Sequence, residues 1–325
     1  MILVTGSVAT DHLMKFPGRF AEQLLPDHLD HVSLSFLVDD LVVQRGGVAG
    51  NICYGLGVLG HRPVLAAAVG TDFRDYELWL SGHGVETGGV RVSYQERTAR
   101  FTCTTDDDMA QLASFYPGAM AEAARISIAE LVARFGRPEL VVIGANDPAA
   151  MLAHTAECRE LGLPFVADPS QQLARLEPAQ IRELLDGAEY LLSNEYEWGL
   201  LQSKAGVTAA EVIRNGCVRV TTLGARGVEI TDRDGAVTRV AAVPENAKVD
   251  PTGVGDGFRA GFLFGRARGA DLRRAAELGS AVAVLVLEAS GPQGWRWDRD
   301  VAVKRITGAF GPEAAEDIGA LWGRP

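Results

Sequence analysis

Residues 140–167 read LVVIGANDPAAMLAHTAECRELGLPFVA. Leu140–Ile143 is a continuous apolar run, the pattern of a strand buried on both faces. Ala149–Leu161 is amphipathic at helical spacing, and Phe165–Ala167 is short and apolar again. Strand, helix and strand in this order build parallel sheets, because parallel neighbours need a long crossover. The same alternation extends in both directions. Ile2–Thr5, Val64–Ala68, Tyr190–Leu192 and Val218–Thr222 read as further strands, with helical stretches at Ile126–Phe135, Pro178–Leu185 and Glu195–Ser203. The predicted fold is α/β, a mostly parallel central sheet flanked by helices, with ligands at the carboxyl ends of its strands. Helical patterns at Gly255–Ala267, Leu272–Leu287 and Asp298–Ala309 fill the last third and need that sheet to bury against.

Two segments break the rhythm. Val32–Val43 carries strand-like residues with no helix after it, and Thr98–Thr104 and Gln111–Tyr116 do the same. They predict a small β-sheet projecting as a lid, with extra edge strands on the main sheet as the alternative. The body would then comprise 1–15, 46–90 and 117–325, and the lid 16–45 and 91–116.

With 325 residues, 47% hydrophobic and 22% charged, the chain suits one large α/β domain with an appendage. A net charge of −11 and no Lys/Arg run argue against nucleic-acid or anionic-membrane partners. Cys53, Cys103, Cys158 and Cys217 are far apart, so they read as small buried apolar residues in a reducing compartment. His28 and His31 share a helix face but lack a partner cluster, so no metal is expected there. The start has no basic n-region and turns polar by Thr5, and the apolar run Ala281–Leu287 is far below the ~20 residues that span a bilayer. A cytoplasmic protein is expected.

The chemistry concentrates in Asp250-Pro-Thr-Gly-Val-Gly-Asp256-Gly-Phe-Arg-Ala-Gly261. Gly253 and Gly255 let the backbone approach an anion closely, and a helical pattern starts at once. The N–H groups of Gly253, Val254 and Gly255 would point outward at the positive end of a helix dipole, a pocket for a phosphoryl group. A carboxylate at Asp256 repels phosphate, so it either accepts the proton of an attacking hydroxyl or caps the helix. The spacing admits both roles. Gly55-Leu-Gly57-Val-Leu-Gly60 matches a dinucleotide-binding pattern, but it lies within and at the end of a helical stretch that runs into a strand. Close packing and a C-cap at Gly60 are predicted there instead. No G-x-x-x-x-G-K-[ST] is present.

The segment around Asp256 resembles the D-T-x-G-A-G-D signature of the ribokinase-like carbohydrate kinases, whose final Asp is the catalytic base. Pro251-Thr252 and Val254 depart from it. Gly46-Gly47-Val48-Ala49-Gly50-Asn51 resembles the family's Gly-Gly-x-x-x-Asn sugar-binding signature, and Asn194-Glu195-Tyr196-Glu197 its Asn-x-x-Glu element. Thr222-Leu223-Gly224-Ala225-Arg226-Gly227 resembles its Thr-x-Gly-x-x-Gly nucleotide loop. The four motifs are in family order and span nearly the whole chain. Within the family, residues 6–13, 33–40, 100–105, 113–119 and 167–173 are similar to the bacterial type of adenosine kinase.

This resemblance implies transfer of the γ-phosphoryl of ATP to the 5′-hydroxyl of adenosine, giving AMP for purine salvage. Asp256 would be the base and the amides of Gly253, Val254 and Gly255 the anion cradle. Ser7, Asp11, Gly47 and Asn51 would hold the nucleoside, with Phe101, Phe115 and Gln172 toward the purine. Asn194 and Glu197 would organise Mg²⁺ through water. Asn194 together with Thr222, Leu223, Gly224, Ala225, Arg226 and Gly227 would hold ATP. The family also implies a monovalent cation such as K⁺ in some members and a homodimer through the lid, where Phe101 or Ser35 could serve its own site or the partner's. The rivals are a kinase of a plain sugar such as ribose or fructose and a catalytically silent nucleoside-binding protein.

Overall fold

The computed structural model describes residues 1–23 and 35–323. Its strands are β1 (Ile2–Thr5), β2 (Ala9–Lys15), β3 (Asp40–Gly46), β4 (Val64–Ala66), β5 (Ala68–Gly70), β6 (Arg91–Ser93) and β7 (Ala99–Thr105). They continue with β8 (Gln111–Tyr116), β9 (Leu140–Ile143), β10 (Phe165–Ala167), β11 (Tyr190–Asn194), β12 (Val218–Thr222), β13 (Val228–Thr231) and β14 (Val237–Val240). The main sheet has eight strands in the order β14-β13-β12-β11-β10-β9-β1-β4. Every pairing from β4 to β12 is parallel, and β13 and β14 add an antiparallel edge.

Side chains alternate across the parallel strands. Val4, Val142, Val166 and Leu192 pack into one core with Ile52 and Phe258. Their neighbours Leu3, Val141, Phe165 and Leu191 pack into the other with Met151 and Ile181. Both faces are therefore covered, which is why these strands read as unbroken apolar runs. Helix Val48–Val58 lies on helix Val254–Ala267, and a side chain at Gly55 would come within 2.5 Å of the Ala260 methyl. Gly60 follows the first helix with φ +91°, and the His61 N–H returns to the Leu56 carbonyl at 2.9 Å. The Gly55–Gly60 pattern thus packs and terminates a helix.

The irregular segments form a separate four-stranded sheet in the order β3-β2-β7-β8, not extra edges of the main sheet. Three details differ from expectation. β2 lies within 1–15, which the sequence places in the body, yet it pairs with β3 and β7; of its sequence ATDHLMK only Ala9 is buried, and it lacks an apolar face. β6, at the start of 91–116, pairs with β5 beside the body instead. The strand expected over Val32–Val43 lies at Asp40–Gly46, and residues 32–34, like His28 and His31, fall outside the described residues. β13 and β14, missed from sequence, flank an Asp-Gly turn at 234–235, a hairpin signal. All four cysteines are free and buried, and burial pushes Cys158 and Cys217 up to about 12. Among the described residues no helix is long and apolar enough to cross a membrane.

Candidate active site

Strand register aligns one wall of the site. Gln44, Asp11, Phe101 and Phe115 are direct neighbours across β3, β2, β7 and β8, so their side chains share a face. Asp11, Phe101 and Phe115 line a cavity of about 640 Å³. The Asp11 carboxylate has no hydrogen-bond donor among the described residues. Burial, helped by the charge of Asp250, pushes it up to about 6. It fits because residue 46 is glycine: a Cβ there would lie 2.7 Å from its oxygen. Gly47 has φ +90°, and a Cβ would sit 2.6 Å from the Ser7 carbonyl oxygen. Ser7 anchors this turn, its Oγ accepting from the Val48 N–H at 3.1 Å.

The opposite wall is the start of helix Val254–Ala267. Gly253 is its N-cap with φ +77°. Asp256 therefore stands in the first turn, not at the cap, and its Oδ2 accepts from Asn51 Nδ2 at 2.8 Å. The alternative of a capping aspartate is removed. The Val254 N–H turns back 3.4 Å to the Pro251 carbonyl, whereas those of Gly255 and Asp256 meet no acceptor among the described residues. Burial pushes Asp256 up to about 6; Arg259 and the Asn51 hydrogen bond hold it down, and Asp168 and Glu197 push it up. A carboxylate poised there is ionised at neutral pH yet basic enough to take a proton.

Between the walls lie groups that sequence reasoning named and groups it missed. Gln172 is buried and lines the cavity, and its Oε1 has no partner among the described residues. Asp168, Ser170 and Arg259 were missed. Arg259 donates from Nε to Asp168 Oδ2 at 2.5 Å and from Nη2 to Asp168 Oδ1 at 2.6 Å, and reaches Ser170 Oγ at 3.1 Å. The available signal was a charge within the apolar Phe258–Phe264 stretch, which demands a buried partner.

Asn194 and Glu197 form a capping box: Asn194 Oδ1 accepts from the Glu197 N–H at 2.8 Å, and Glu197 Oε2 from the Asn194 N–H at 2.7 Å. Both line the large cavity. Glu197 Oε1 has no hydrogen-bond partner among the described residues, and burial raises this carboxyl above its usual range despite the opposing Arg259. No cluster of three His, Cys, Asp or Glu occurs among the described residues. One free carboxylate oxygen suits Mg²⁺, which keeps several waters and takes the rest of its shell from substrate phosphates.

A second cavity, of about 290 Å³, is lined by Thr222, Gly224, Ala225 and Gly227 with Val243 and Phe258. Gly255 lines both cavities, so they meet at the helix start. Leu223 and Arg226 do not line the second one. Arg226 turns outward to Glu195 at 2.5 Å.

An α/β sheet carrying a small second sheet, with a glycine-flanked carboxylate where two cavities meet, is the architecture of a ribokinase-like phosphotransferase. The model of the pfkB family of carbohydrate kinases matches residues 5–298, and the chain belongs to that family. It is an ATP-dependent phosphotransferase. A nucleoside kinase of Methanothermobacter thermautotrophicus is 33% identical over 316 residues, 96% of this chain and 97% of that protein. The Burkholderia thailandensis nucleoside kinase in complex with inosine is similar with a TM-score of 0.84 at 32% identity, covering 96% of this chain and 99% of that one. The same enzyme in complex with ADP-inosine gives 0.79 at 34% identity, covering 96% of each chain.

Proposed function

We propose that the protein is a nucleoside kinase with adenosine as its favoured acceptor, producing AMP for purine salvage. The observation that carries this is the row Asp11–Phe101–Phe115 facing Asp256 across one cavity. A donor-free carboxylate suits vicinal ribose hydroxyls. Two aromatic faces suit a purine, at about 1–3 kcal/mol per stacked base. The orphaned Gln172 oxygen suits a base N–H. A plain sugar would use neither ring. The similarity to nucleoside kinases supports the same class. The inosine complex of one of them favours a second purine acceptor, which the Gln172 amide, with both donor and acceptor, would also serve.

ATP lies along the smaller, more apolar cavity, and its γ-phosphoryl reaches the helix start at Gly255. Asp256 takes the 5′-hydroxyl proton as the new O–P bond forms and ADP leaves. The free N–H groups of Gly255 and Asp256 stabilise charge on the moving phosphoryl. Mg²⁺, when bound, would supply positive charge that offsets the charge on the phosphates. Asn194 and Glu197 would hold it through water. The small sheet shields the site from water that would hydrolyse ATP.

Steady-state rates with adenosine, inosine, guanosine, cytidine, ribose and fructose test the reading. Adenosine should give the highest kcat/KM, and ribose or fructose equalling it would overturn the assignment. The pH profile is a second test. Asp256 and Asp11 are both pushed up to about 6, and both act as carboxylates. The kcat/KM for adenosine should therefore fall below about pH 6, with a slope steeper than one.

We also propose a homodimer through the small sheet. Its edge strands β3 and β8 expose Leu41, Val43, Leu112 and Tyr116, an apolar edge that invites pairing. Sedimentation at micromolar concentration should give twice the chain mass of 34.6 kDa. A monomer would refute it.

A further inference from the structure

Behind Asn51 runs a hydrogen-bonded chain that reaches the far end of the sequence. Asn51 Oδ1 accepts from Gln293 Nε2 at 2.9 Å. Gln293 Oε1 accepts from the Trp79 indole N–H at 3.0 Å. Gln293 Nε2 also bonds the Tyr76 hydroxyl, which donates to the Gly46 carbonyl at 3.0 Å. Gln293 and Tyr76 are buried, and the Arg45 guanidinium stacks 4.6 Å over the Trp79 ring. A side chain at Gly50 would collide with the Tyr76 hydroxyl, so that glycine keeps the cluster closed.

Each amide in this chain could in principle be turned around, but its ends forbid it. An indole N–H can only donate, so Gln293 must show it the carbonyl oxygen. The Gln293 NH₂ then faces Asn51 and the Tyr76 oxygen, whose proton is committed to Gly46. Asn51 must answer with its own oxygen and so turns its NH₂ to Asp256. At that end sits a carboxylate, which can only accept. Donor-only and acceptor-only termini fix every amide between them.

We propose that Gln293, oriented by Trp79, is a positioning residue that aims the Asn51 amide at Asp256 and so holds this carboxylate in its working orientation. The proposal rests on Asp256 being the base. Gln293→Met keeps the bulk and removes both hydrogen bonds. It should lower kcat by about 10- to 100-fold, as small misplacements of reacting groups do, with the KM for ATP unchanged because the donor cavity is untouched. Trp79→Phe keeps a ring under Arg45, removes only the indole donor and should act in the same direction with a smaller factor.

A double-mutant cycle with Asn51→Ala is the test. If Gln293 acts through Asn51, adding Gln293→Met to Asn51→Ala changes kcat by less than about twofold. The same factor in both backgrounds overturns the proposal. Should Gln293→Met fail to fold, Trp79→Phe with and without Asn51→Ala carries the same comparison. Asp256→Asn separates the two levels. Near-normal turnover in that variant removes the base itself, whereas an inactive Asp256→Asn with additive effects at Gln293 and Asn51 removes only the relay.

Discussion

Asp256→Asn should lower kcat by about two orders of magnitude or more while the protein stays folded and binds both substrates, since a general base contributes roughly 10²–10⁴. The substitution keeps shape and hydrogen bonding, because the new amide oxygen still accepts from Asn51 Nδ2, now 2.8 Å from Oδ2. What is lost is the negative charge and, with it, proton acceptance. The stability effect runs the other way. Burial raises the folded Asp256 carboxyl from 3.8 to about 6, so the native state holds this proton more tightly than the unfolded chain. The native state therefore loses stability as pH rises between those values and does not regain it above them. The amide carries no such penalty, so the Tm of Asp256→Asn at pH 7.5 should equal or exceed that of the wild type. Calorimetry beside steady-state kinetics checks both halves. Near-normal turnover would falsify the role of Asp256, and a lowered Tm would contradict the account of its burial.

What could be read from the chain follows from how far apart the cooperating residues stand. Leu140–Ile143, Phe165–Ala167 and Val218–Thr222 are buried on both faces and show it as local apolar runs, and the structure has strands at those residues. Asp256 and its glycines form one contiguous segment, so their meeting at a helix start was legible. β2 was not, because a strand with both faces partly exposed keeps no alternating pattern. Arg259 with Asp168 and Gln293 with Asn51 are hydrogen-bonded pairs 91 and 242 residues apart in sequence. Arg259, a charge in an apolar stretch, signals that a buried partner exists, but no local pattern says which residue it is, and Gln293 and Asn51 carry not even that. The loop Thr222–Gly227 was legible as a motif, but not which of its residues face inward. Gly227, at φ +88°, lines the cavity, whereas Arg226 beside it points to Glu195.

Arg259→Met should destabilise the protein more than any surface substitution, by about 3–5 kcal/mol, because it strands the Asp168 carboxylate without its cation. Asp168 is 0% exposed and Arg259 6%. In the variant, the donors left to Asp168 would include the Ser170 hydroxyl, now 3.0 Å from Oδ1. Ser170 itself has φ +44°, a left-handed conformation costly for a non-glycine residue, and its hydroxyl bridges the ion pair. Losing the guanidinium removes part of what holds that strain. A fall in Tm of roughly 4–8 °C is expected for a chain of 325 residues. The effect comes from the uncompensated charge, so Asp168→Asn in the Arg259→Met background should recover most of the loss. A double variant no more stable than Arg259→Met alone would rule that explanation out. The folded double variant also reports on the site. Arg259 is the foremost group holding the Asp256 carboxyl down, and Asp168 pushes it up by less. Removing both should move the acidic limb of the kcat profile to higher pH. Arg259 thus joins Ser170–Gln172, which line the 640 Å³ cavity, to the helix that carries Asp256, and its loss should register in stability and in proton affinity together.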